Sequence, residues 1–269
     1  MEYIKALVLG IVQGITEWLP ISSTAHLLIF DDFLHLEGSD AFKDLFMVVI
    51  QLGSILAVVV LYFDRLWPFK RDKEEMKKSF SLWGKIIVAS IPAAIFGLIL
   101  DDLVSSVLSS FYVIALTLSV YGILYIVLEK TKWAEKRVKY NSVEEVSYRS
   151  AFEIGLFQAL AIIPGTSRSG STILGGMILG FSRELSAIFS FFMAIPVMAG
   201  ASLLRFIKHF SEVSSSEWGV LLFATFISFV VSLFAIKWLV GFVRSHSFAG
   251  FGVYRIALAV VLVLVSVLF

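Results

Sequence analysis

Near its start the chain reads Gln13-Gly-Ile-Thr-Glu17-Trp-Leu-Pro20-Ile-Ser22-Ser23-Thr24-Ala-His26, a polar run inside an apolar stretch from residue 4 to residue 34. A second apolar stretch, 151 to 182, is interrupted by Pro164-Gly165-Thr166-Ser167-Arg168-Ser169-Gly170-Ser171-Thr172. Ionisable side chains at bilayer depth cost about 2.5 to 3.5 kcal/mol each, so they are seldom present without a function. A functional site is therefore expected in these two polar runs.

The composition is that of a membrane protein. Of the 269 residues, 58% are hydrophobic and 16% are charged, and the mean hydropathy of +0.90 is well above that of soluble domains. Windows of about twenty apolar residues are long enough to cross a bilayer. They predict six spans, near 45 to 63, 82 to 100, 107 to 128, 184 to 207, 218 to 240 and 252 to 269. We expect one integral membrane domain, 1 to 269. The absence of cysteine excludes disulfides and thiolate metal sites.

Each polar run contains a helix breaker. Pro20 interrupts the first stretch and Pro164-Gly165 the second, because a helix seldom continues through a proline. Each stretch is thus predicted to form two half-length helices joined by a polar break, as a re-entrant hairpin and not a full span. Non-helical backbone at membrane depth is tolerated only inside protein or along a wet cavity, so both hairpins should line a cavity.

The basic residues predict the orientation. The loops from Asp64 to Ser81 and from Glu129 to Ser150 contain six Lys or Arg residues each. Two spans separate these loops, so both lie on one side, which the positive-inside rule makes cytoplasmic. The loops at 31–44, 101–106 and 208–217 contain one basic residue or none. They are predicted to face outward, as are both termini.

The two halves of the chain resemble each other. Residues 6–13 (ALVLGIVQ) are similar to residues 151–158 (AFEIGLFQ), and a proline with a Ser/Thr cluster follows each. Each hairpin precedes three spans, and an odd number of spans inverts the second copy. We predict repeat 1 at about 1–129, a cytoplasmic basic loop at 130–150 and repeat 2 at about 151–269. The broken helices should then meet near the midplane, as in many transporters. The alternative is a chance similarity between apolar helices.

The predicted fold class is therefore an all-α polytopic membrane protein. It has six transmembrane helices plus two re-entrant helical hairpins, arranged as an inverted-topology repeat.

The second polar run has the character of an anion site. A Gly/Ser-rich turn that opens a helix presents free backbone amides and the positive end of the helix dipole. Arg168 adds a planar fork suited to phosphate oxygens, and Ser167, Ser169 and Thr172 add hydroxyl donors. An ordinary helix N-cap would account for one of these serines, but not for several hydroxyls around an arginine.

The first polar run offers a metal ligand set and a nucleophile. Gln13 and Glu17 are four residues apart and share one helix face, and their oxygens suit a hard cation such as Mg²⁺. The alternative for Gln13 is a helix-packing hydrogen bond. His26 follows Ser22 and Ser23 by four and three residues, so its imidazole can reach either hydroxyl. Such a histidine can activate a serine or accept a phosphoryl group itself; the alternative is a packing residue.

The remaining polar residues give weaker indications of function. His35, His209 and His246 lie in or near predicted loops, where we expect them to be solvated. The basic loops are interpreted as topology signals, so no nucleic-acid partner is expected. Asp101-Asp102 could bind a cation, although a solvated loop is the preferred interpretation.

At these residues the chain resembles the BacA/UppP family of undecaprenyl pyrophosphate phosphatases. The first family motif, Glu or Gln followed four residues later by Glu, is similar to Gln13 and Glu17, and continues as Leu-Pro-x-Ser-Ser-Thr-x-His from Leu19 to His26. The second motif, Pro-Gly-x-Ser-Arg-Ser-x-x-Thr, is similar to the run from Pro164 to Thr172. The resemblance covers essentially the whole chain.

The resemblance implies hydrolysis of undecaprenyl pyrophosphate to undecaprenyl phosphate and inorganic phosphate, dependent on Mg²⁺ or Ca²⁺. This reaction recycles the lipid carrier for cell-wall synthesis and is associated with bacitracin resistance. The resemblance also implies a homodimer, a location in the cell inner or plasma membrane and a site that we expect to open to the extracytoplasmic side.

Residue by residue, the resemblance implies that Glu17, His26 and Arg168 are catalytic, that Ser23 is a nucleophile or positioner, and that Gln13 and Glu17 handle the metal. Ser23, His26 and water remain open as the attacking group. The residues expected to bind substrate phosphate are Ser22, Thr24, Gly165, Ser167, Ser169 and Thr172.

A transporter or flippase for an anionic polyprenyl lipid is the alternative function, because inverted repeats with broken helices are common in transporters. The Ser-His-Glu constellation favours the enzyme, since moving a lipid requires an anion site but no nucleophile.

Overall fold

The computed structural model describes residues 1–103 and 110–268, in which the regular secondary structure is helical and no β-strand occurs. In chain order the helices are α1 (Glu2–Thr16), α2 (Ser23–Leu34), α3 (Asp40–Leu61), α4 (Phe63–Leu66), α5 (Lys73–Leu103), α6 (Phe111–Lys130), α7 (Tyr148–Ala159), α8 (Arg168–Ile178), α9 (Arg183–His209), α10 (Ser215–Val243) and α11 (Ala249–Leu268). Six of them, α3, α5, α6, α9, α10 and α11, are long and apolar enough to cross a membrane. The six predicted spans are confirmed.

The helices extend beyond the apolar windows. α5 begins at Lys73, so part of the loop predicted from Asp64 to Ser81 is helical. The Asp72 side chain accepts a hydrogen bond from the Glu75 amide at 2.8 Å, and Lys78 pairs with Glu75 at 2.6 Å. These interactions stabilise a polar first turn, which a hydropathy window does not detect.

Four predictions concern residues outside the described part of the chain. Residues 104–109 include the end of the outward loop predicted at 101–106 and the start of the span predicted at 107. The side chains of Asp101 and Asp102, considered for a cation, are also outside it, as is Phe269, the predicted end of the last span.

Both interrupted stretches form two half-length helices, as predicted. In the first, residues 17–22 separate α1 from α2; in the second, residues 160–167 separate α7 from α8 and include one 3-10 turn. We call these segments the first and second breaks. Each ends on a serine with positive φ that caps the next helix, Ser22 at φ 72° and Ser167 at φ 68°. A re-entrant course through the bilayer is consistent with this geometry and stays a prediction.

Each hairpin packs against the opposite half of the chain. α1 lies against α10, and α7 lies against α5. A Cβ built on Gly10 would lie 2.8 Å from the Ala224 carbonyl oxygen, and one on Gly155 would lie 2.5 Å from that of Ala89. The two glycines occupy matching positions in the repeated segments, so the close helix contacts are reciprocal.

The last spans of the two halves show the same reciprocity. α6 packs on α11, where a Cβ on Gly122 would lie 2.7 Å from the Gly252 oxygen and one on Gly252 would lie 2.6 Å from the Gly122 oxygen. Reciprocal contacts of this kind are what an inverted repeat requires.

The two basic loops lie at one end of the helix bundle. In the first half of α5, Trp83 donates to the Leu66 carbonyl at 2.7 Å, and Lys85 donates to the carbonyls of Val143 and Glu144 at 3.0 Å each. At the other end, Lys5 donates to the His35 carbonyl at 2.8 Å. The predicted grouping of the loops is therefore confirmed, while the side that faces the cytoplasm stays a prediction.

Candidate active site

The two breaks meet at an ion pair. Arg168 Nη2 donates to Glu17 Oε1 at 2.8 Å, and the two side chains are only 12% and 6% exposed. Ser169 adds a second link, because its hydroxyl donates to the Leu19 carbonyl at 3.0 Å. The predicted meeting of the broken helices is confirmed, and it joins both polar runs into one site.

Three donors surround the Glu17 carboxylate. Oε1 accepts from Arg168, while Oε2 accepts from Gln13 Nε2 at 2.9 Å and from the Ser23 hydroxyl at 2.8 Å. Gln13 lies one turn earlier on α1, and Ser23 opens α2 after the first break. The break therefore folds α2 back so that its first hydroxyl reaches the carboxylate.

Arg168, the first residue of α8, contacts both the first break and α9. Its Nη1 donates to the Ser190 carbonyl on α9 at 2.9 Å, and its guanidinium lies 5.4 Å from the centre of the Trp18 ring. Thr172 shares a hydrogen bond of 2.6 Å with the Ser190 hydroxyl. Arg168 Nε has no hydrogen-bond partner within the described residues, so this side chain keeps an unused donor.

His26 is held at both ring nitrogens. Nδ1 lies 2.7 Å from the Ser22 carbonyl oxygen, and Nε2 lies 2.7 Å from the Tyr254 hydroxyl. A carbonyl only accepts, so Nδ1 carries the hydrogen and Nε2 of the neutral ring accepts from tyrosine.

The contact predicted between His26 and a serine hydroxyl is not formed. The Ser22 hydroxyl instead caps α2 by accepting from the Ala25 amide, and Ser23 points to Glu17. The positive φ at Ser22 leaves this residue outside the helix, which begins at Ser23, and this directs the two hydroxyls away from the ring.

Of the other predicted phosphate ligands, Ser167 and Thr172 form hydrogen bonds with the backbone of α8, whereas Gly165 and Thr24 do not among the residues that the structure describes. Ser167 caps α8 by accepting from the Gly170 amide at 3.1 Å, and Thr172 donates to the Arg168 carbonyl at 2.8 Å. Gly165 has φ +84°, and a Cβ there would collide with Thr117 Oγ1, so glycine allows the second break to approach α6. Thr24 is exposed, and no hydrogen bond joins it to this cluster in the part of the chain described.

Sequence reasoning missed Tyr254, Arg255 and Ser190. Arg255 is fully buried in α11 and contacts both breaks. An ionisable group in hydrocarbon is costly, and this cost marks an arginine inside the last predicted span as it marks Glu17. Ser190 and Tyr254 carried no comparable signal, because a single hydroxyl in an apolar helix is ordinary.

One further prediction, on the isolated histidines, is partly wrong. His35 and His246 are exposed, as predicted. The His209 side chain is only 12% exposed, and its Nε2 lies 3.0 Å from Asp44 Oδ2. The end of α9 packs against the start of α3, so the histidine gains a partner that is distant in sequence.

An apolar groove leads to the site. Its volume is about 530 Å³, and its walls come mainly from α1, α10 and α11. Thr16, His26, Trp238 and Tyr254 are the hydrogen-bonding side chains of a lining that also includes Ile15 and Phe251. Ligand sites are commonly apolar with a few placed polar groups, so the groove suits an apolar chain whose polar end reaches His26.

The predicted metal ligands lie together. Gln13 Oε1 is buried and has no hydrogen-bond partner within the described residues, and its amide nitrogen contacts Glu17. No group of three or more His, Asp or Glu residues that could hold a metal ion occurs among the described residues. Mg²⁺ commonly takes one or two carboxylates and completes its shell with water and phosphate, so the pair fits a cation that is bound together with a phosphate.

The fold and site define a polytopic helical membrane protein in which two broken helices meet at a buried Glu17–Arg168 ion pair. The family described as bacitracin resistance protein BacA matches residues 6–261. The chain belongs to this family.

Relatives named undecaprenyl-diphosphatase are similar over nearly the whole chain. An undecaprenyl-diphosphatase of Acetivibrio thermocellus is 48% identical over 266 residues, which cover 98% of this chain and 97% of the relative. An undecaprenyl-diphosphatase of Streptococcus thermophilus is 49% identical and covers 97% of this chain and 92% of its own length. An undecaprenyl-diphosphatase of Enterococcus faecalis is 44% identical, and the match covers 99% of this chain and 98% of the relative. These names give no support to the transporter alternative.

Proposed function

We propose that this chain is an undecaprenyl-diphosphatase, which hydrolyses undecaprenyl diphosphate to undecaprenyl phosphate and inorganic phosphate. The observation that carries the proposal is the buried Glu17–Arg168 pair, beside a groove lined by Thr16, Leu19 and His26. The pair supplies the polar groups that a diphosphate needs, and the groove accepts a prenyl chain. The names of the relatives agree with this activity.

Arg168 and the start of α8 are proposed to bind the terminal phosphate. Phosphoryl transfer depends mainly on positioning and charge stabilisation. The arginine offers an unused Nε donor at the first residue of α8, where the helix dipole favours an anion.

Ser23 is proposed as the attacking group, because its hydroxyl already donates to the Glu17 carboxylate. Its oxygen forms a bond to the terminal phosphorus while its proton passes to Glu17. The bond from that phosphorus to the bridging oxygen breaks, and undecaprenyl phosphate leaves with the electron pair. Water then hydrolyses the phosphoserine to release phosphate and restore the hydroxyl. His26, at the groove end, is placed for proton transfer through Nε2.

Gln13 and Glu17 are proposed to hold Mg²⁺ or Ca²⁺ together with substrate oxygens. Such a cation neutralises charge on the diphosphate. The unpartnered Gln13 oxygen supports this role, because a buried amide oxygen otherwise loses a hydrogen bond without compensation.

The activity is tested by phosphate release from farnesyl diphosphate, with purified protein in detergent and Mg²⁺. We expect release by the wild type, and loss of it in His26→Ala and Arg168→Ala. Arg205→Ala and His209→Ala are matched controls, since both residues contact Asp44 away from the breaks. A wild-type protein that releases no phosphate would contradict the proposal.

Rapid-quench trapping with labelled substrate tests the attacking group. Acid-stable label that disappears in Ser23→Ala supports Ser23. Acid-labile, base-stable label that disappears in His26→Ala would assign the attack to His26, and the absence of any adduct would assign it to water.

An orientation with the basic loops in the cytoplasm is part of the proposal, as is a site open to the outside. The chain has no cysteine, so single cysteines report sidedness cleanly. In intact cells, a membrane-impermeant maleimide should label Ser211→Cys and spare Lys136→Cys; the reverse pattern would overturn the orientation.

The homodimer implied by the family resemblance is also proposed. Cysteine cross-linking in native membranes and mass measurement by light scattering test it. A mass of one chain in mild detergent, together with the absence of cross-linked pairs in membranes, would contradict the dimer.

A further inference from the structure

Arg255 on α11 connects the two breaks, and no step of the proposed reaction uses it. The side chain is 0% exposed. Nη1 donates to the Pro20 carbonyl at 3.0 Å, and Nη2 donates to the carbonyls of Gly165 and Thr166 at 2.9 Å each. One guanidinium thus holds one carbonyl of the first break and two of the second.

The partners of Arg255 indicate a specific need for this side chain. Every hydrogen-bond acceptor it has among the described residues is a backbone carbonyl. Burying a charge without a carboxylate partner costs free energy. If this position required only apolar packing, a leucine would give a more stable protein. Carbonyls freed by a broken helix must find donors inside a membrane protein, and the planar fork of arginine can serve several at fixed angles.

The carbonyls that Arg255 binds are close in sequence to the reacting groups. Pro20 follows Glu17 by three residues, and Thr166 precedes Arg168 by two. The fork therefore fixes the separation of the two breaks, and with it the placement of Arg168 relative to Glu17 and Ser23.

We propose that Arg255 is a positioning residue for phosphoryl transfer, which acts by holding the first and second breaks at a fixed separation. The proposal rests on the proposed function. A misplacement of about 1 Å can lower a rate about 100-fold, so a clamp on the site's backbone has a direct effect on turnover.

Arg255→Lys and Arg255→Gln separate the contribution of the planar guanidinium from that of its positive charge. Lysine keeps the charge, but a single ammonium does not reproduce the planar fork. We expect kcat to fall about 100-fold in both variants and KM to change by no more than about threefold, because other groups bind the phosphate. A wild-type kcat in Arg255→Lys would overturn the proposal.

Gly170→Ala disturbs the same clamp without removing Arg255. A Cβ at Gly170 would lie 2.7 Å from Arg255 Nη1, so the guanidinium must move. Gly176→Ala is the matched control on α8, because its Cβ would lie 2.8 Å from the Ser186 hydroxyl and does not meet the guanidinium. We expect kcat to fall at least about tenfold in Gly170→Ala and to stay near wild type in Gly176→Ala. Equal values in the two variants would contradict the clamp.

A distance measurement tests the clamp independently of activity. One spin label is attached at Ile15→Cys, beside the first break, and the other at Leu160→Cys, in the second break; both positions are exposed. Pulsed electron paramagnetic resonance measures the distance between the two labels. We expect Arg255→Lys and Gly170→Ala to broaden or shift the distribution, and Gly176→Ala to leave it unchanged. An unchanged distribution in Arg255→Lys overturns the proposal even if the wild type shows no diphosphatase activity, which would separately refute the proposed function.

Discussion

The Tyr254 hydroxyl donates to His26 Nε2 over 2.7 Å, and the two rings lie parallel with their centres 5.6 Å apart. Together with the Ser22 carbonyl at Nδ1, this contact fixes the orientation and the tautomer of the imidazole.

Removing that hydroxyl should impair turnover without unfolding the protein. We expect Tyr254→Phe to lower kcat about fivefold to tenfold, since a hydrogen bond of this kind contributes about 1 kcal/mol. Tyr112→Phe is a suitable control, because Tyr112 is 67% exposed. Steady-state kinetics with farnesyl diphosphate measure the effect, and equal rates in the two variants would argue against a role for Tyr254.

The reciprocal glycine contacts predict matching losses of stability. Gly10→Ala and Gly155→Ala each place a Cβ against a backbone carbonyl, which should cost about 1 to 3 kcal/mol through overpacking. A Cβ at Gly241 would meet nothing within 4 Å, so Gly241→Ala should be neutral or slightly stabilising. Melting temperatures in detergent test this, and a shift in only one of the two variants would contradict the reciprocity.

The groove predicts a dependence on prenyl chain length. Ile15→Trp should obstruct the groove, which Ile15 lines, and raise KM for undecaprenyl diphosphate about tenfold while KM for farnesyl diphosphate changes much less. Ile4→Trp introduces the same side chain on α1 at an exposed position outside the groove lining, and serves as the control. If Ile15→Trp raises both KM values equally, the long chain does not occupy the groove.

The metal proposal predicts a shifted cation requirement. Gln13→Met keeps the volume but removes the unpartnered oxygen, so the Mg²⁺ concentration for half-maximal activity should rise about tenfold. Gln51→Met on α3 removes an amide that donates to the Met47 carbonyl and should leave that concentration unchanged. Titration of chelator-treated enzyme measures both, and an unchanged requirement in Gln13→Met would remove Gln13 from the metal site.

The sequence predicted the helical fold well, because its strongest signals are physical requirements of the bilayer. Apolar length identified the six spans, and Pro20 and Pro164 identified the breaks. The helix ends were less accurate, since the first turn of α5 is polar and is stabilised by side-chain contacts such as that of Asp72 with the Glu75 amide.

The site was predicted in composition but not in its contacts. The polar runs identified Glu17 and Arg168, and the inverted repeat predicted that they meet. The partner of His26 was missed, because Tyr254 is 228 positions away. The positive φ at Ser22 also redirected the serine hydroxyls, and spacing along an ideal helix does not reveal such a turn.

The central claim is that the two breaks form a single phosphoryl-transfer site through Glu17 and Arg168. A double-mutant cycle of Glu17→Gln and Arg168→Met, measured as kcat/KM for farnesyl diphosphate, tests it most directly. We predict that each single variant loses at least about 100-fold in kcat/KM and that the double variant loses little more than either one. Strictly multiplicative losses, or a single variant with wild-type activity, would contradict the claim.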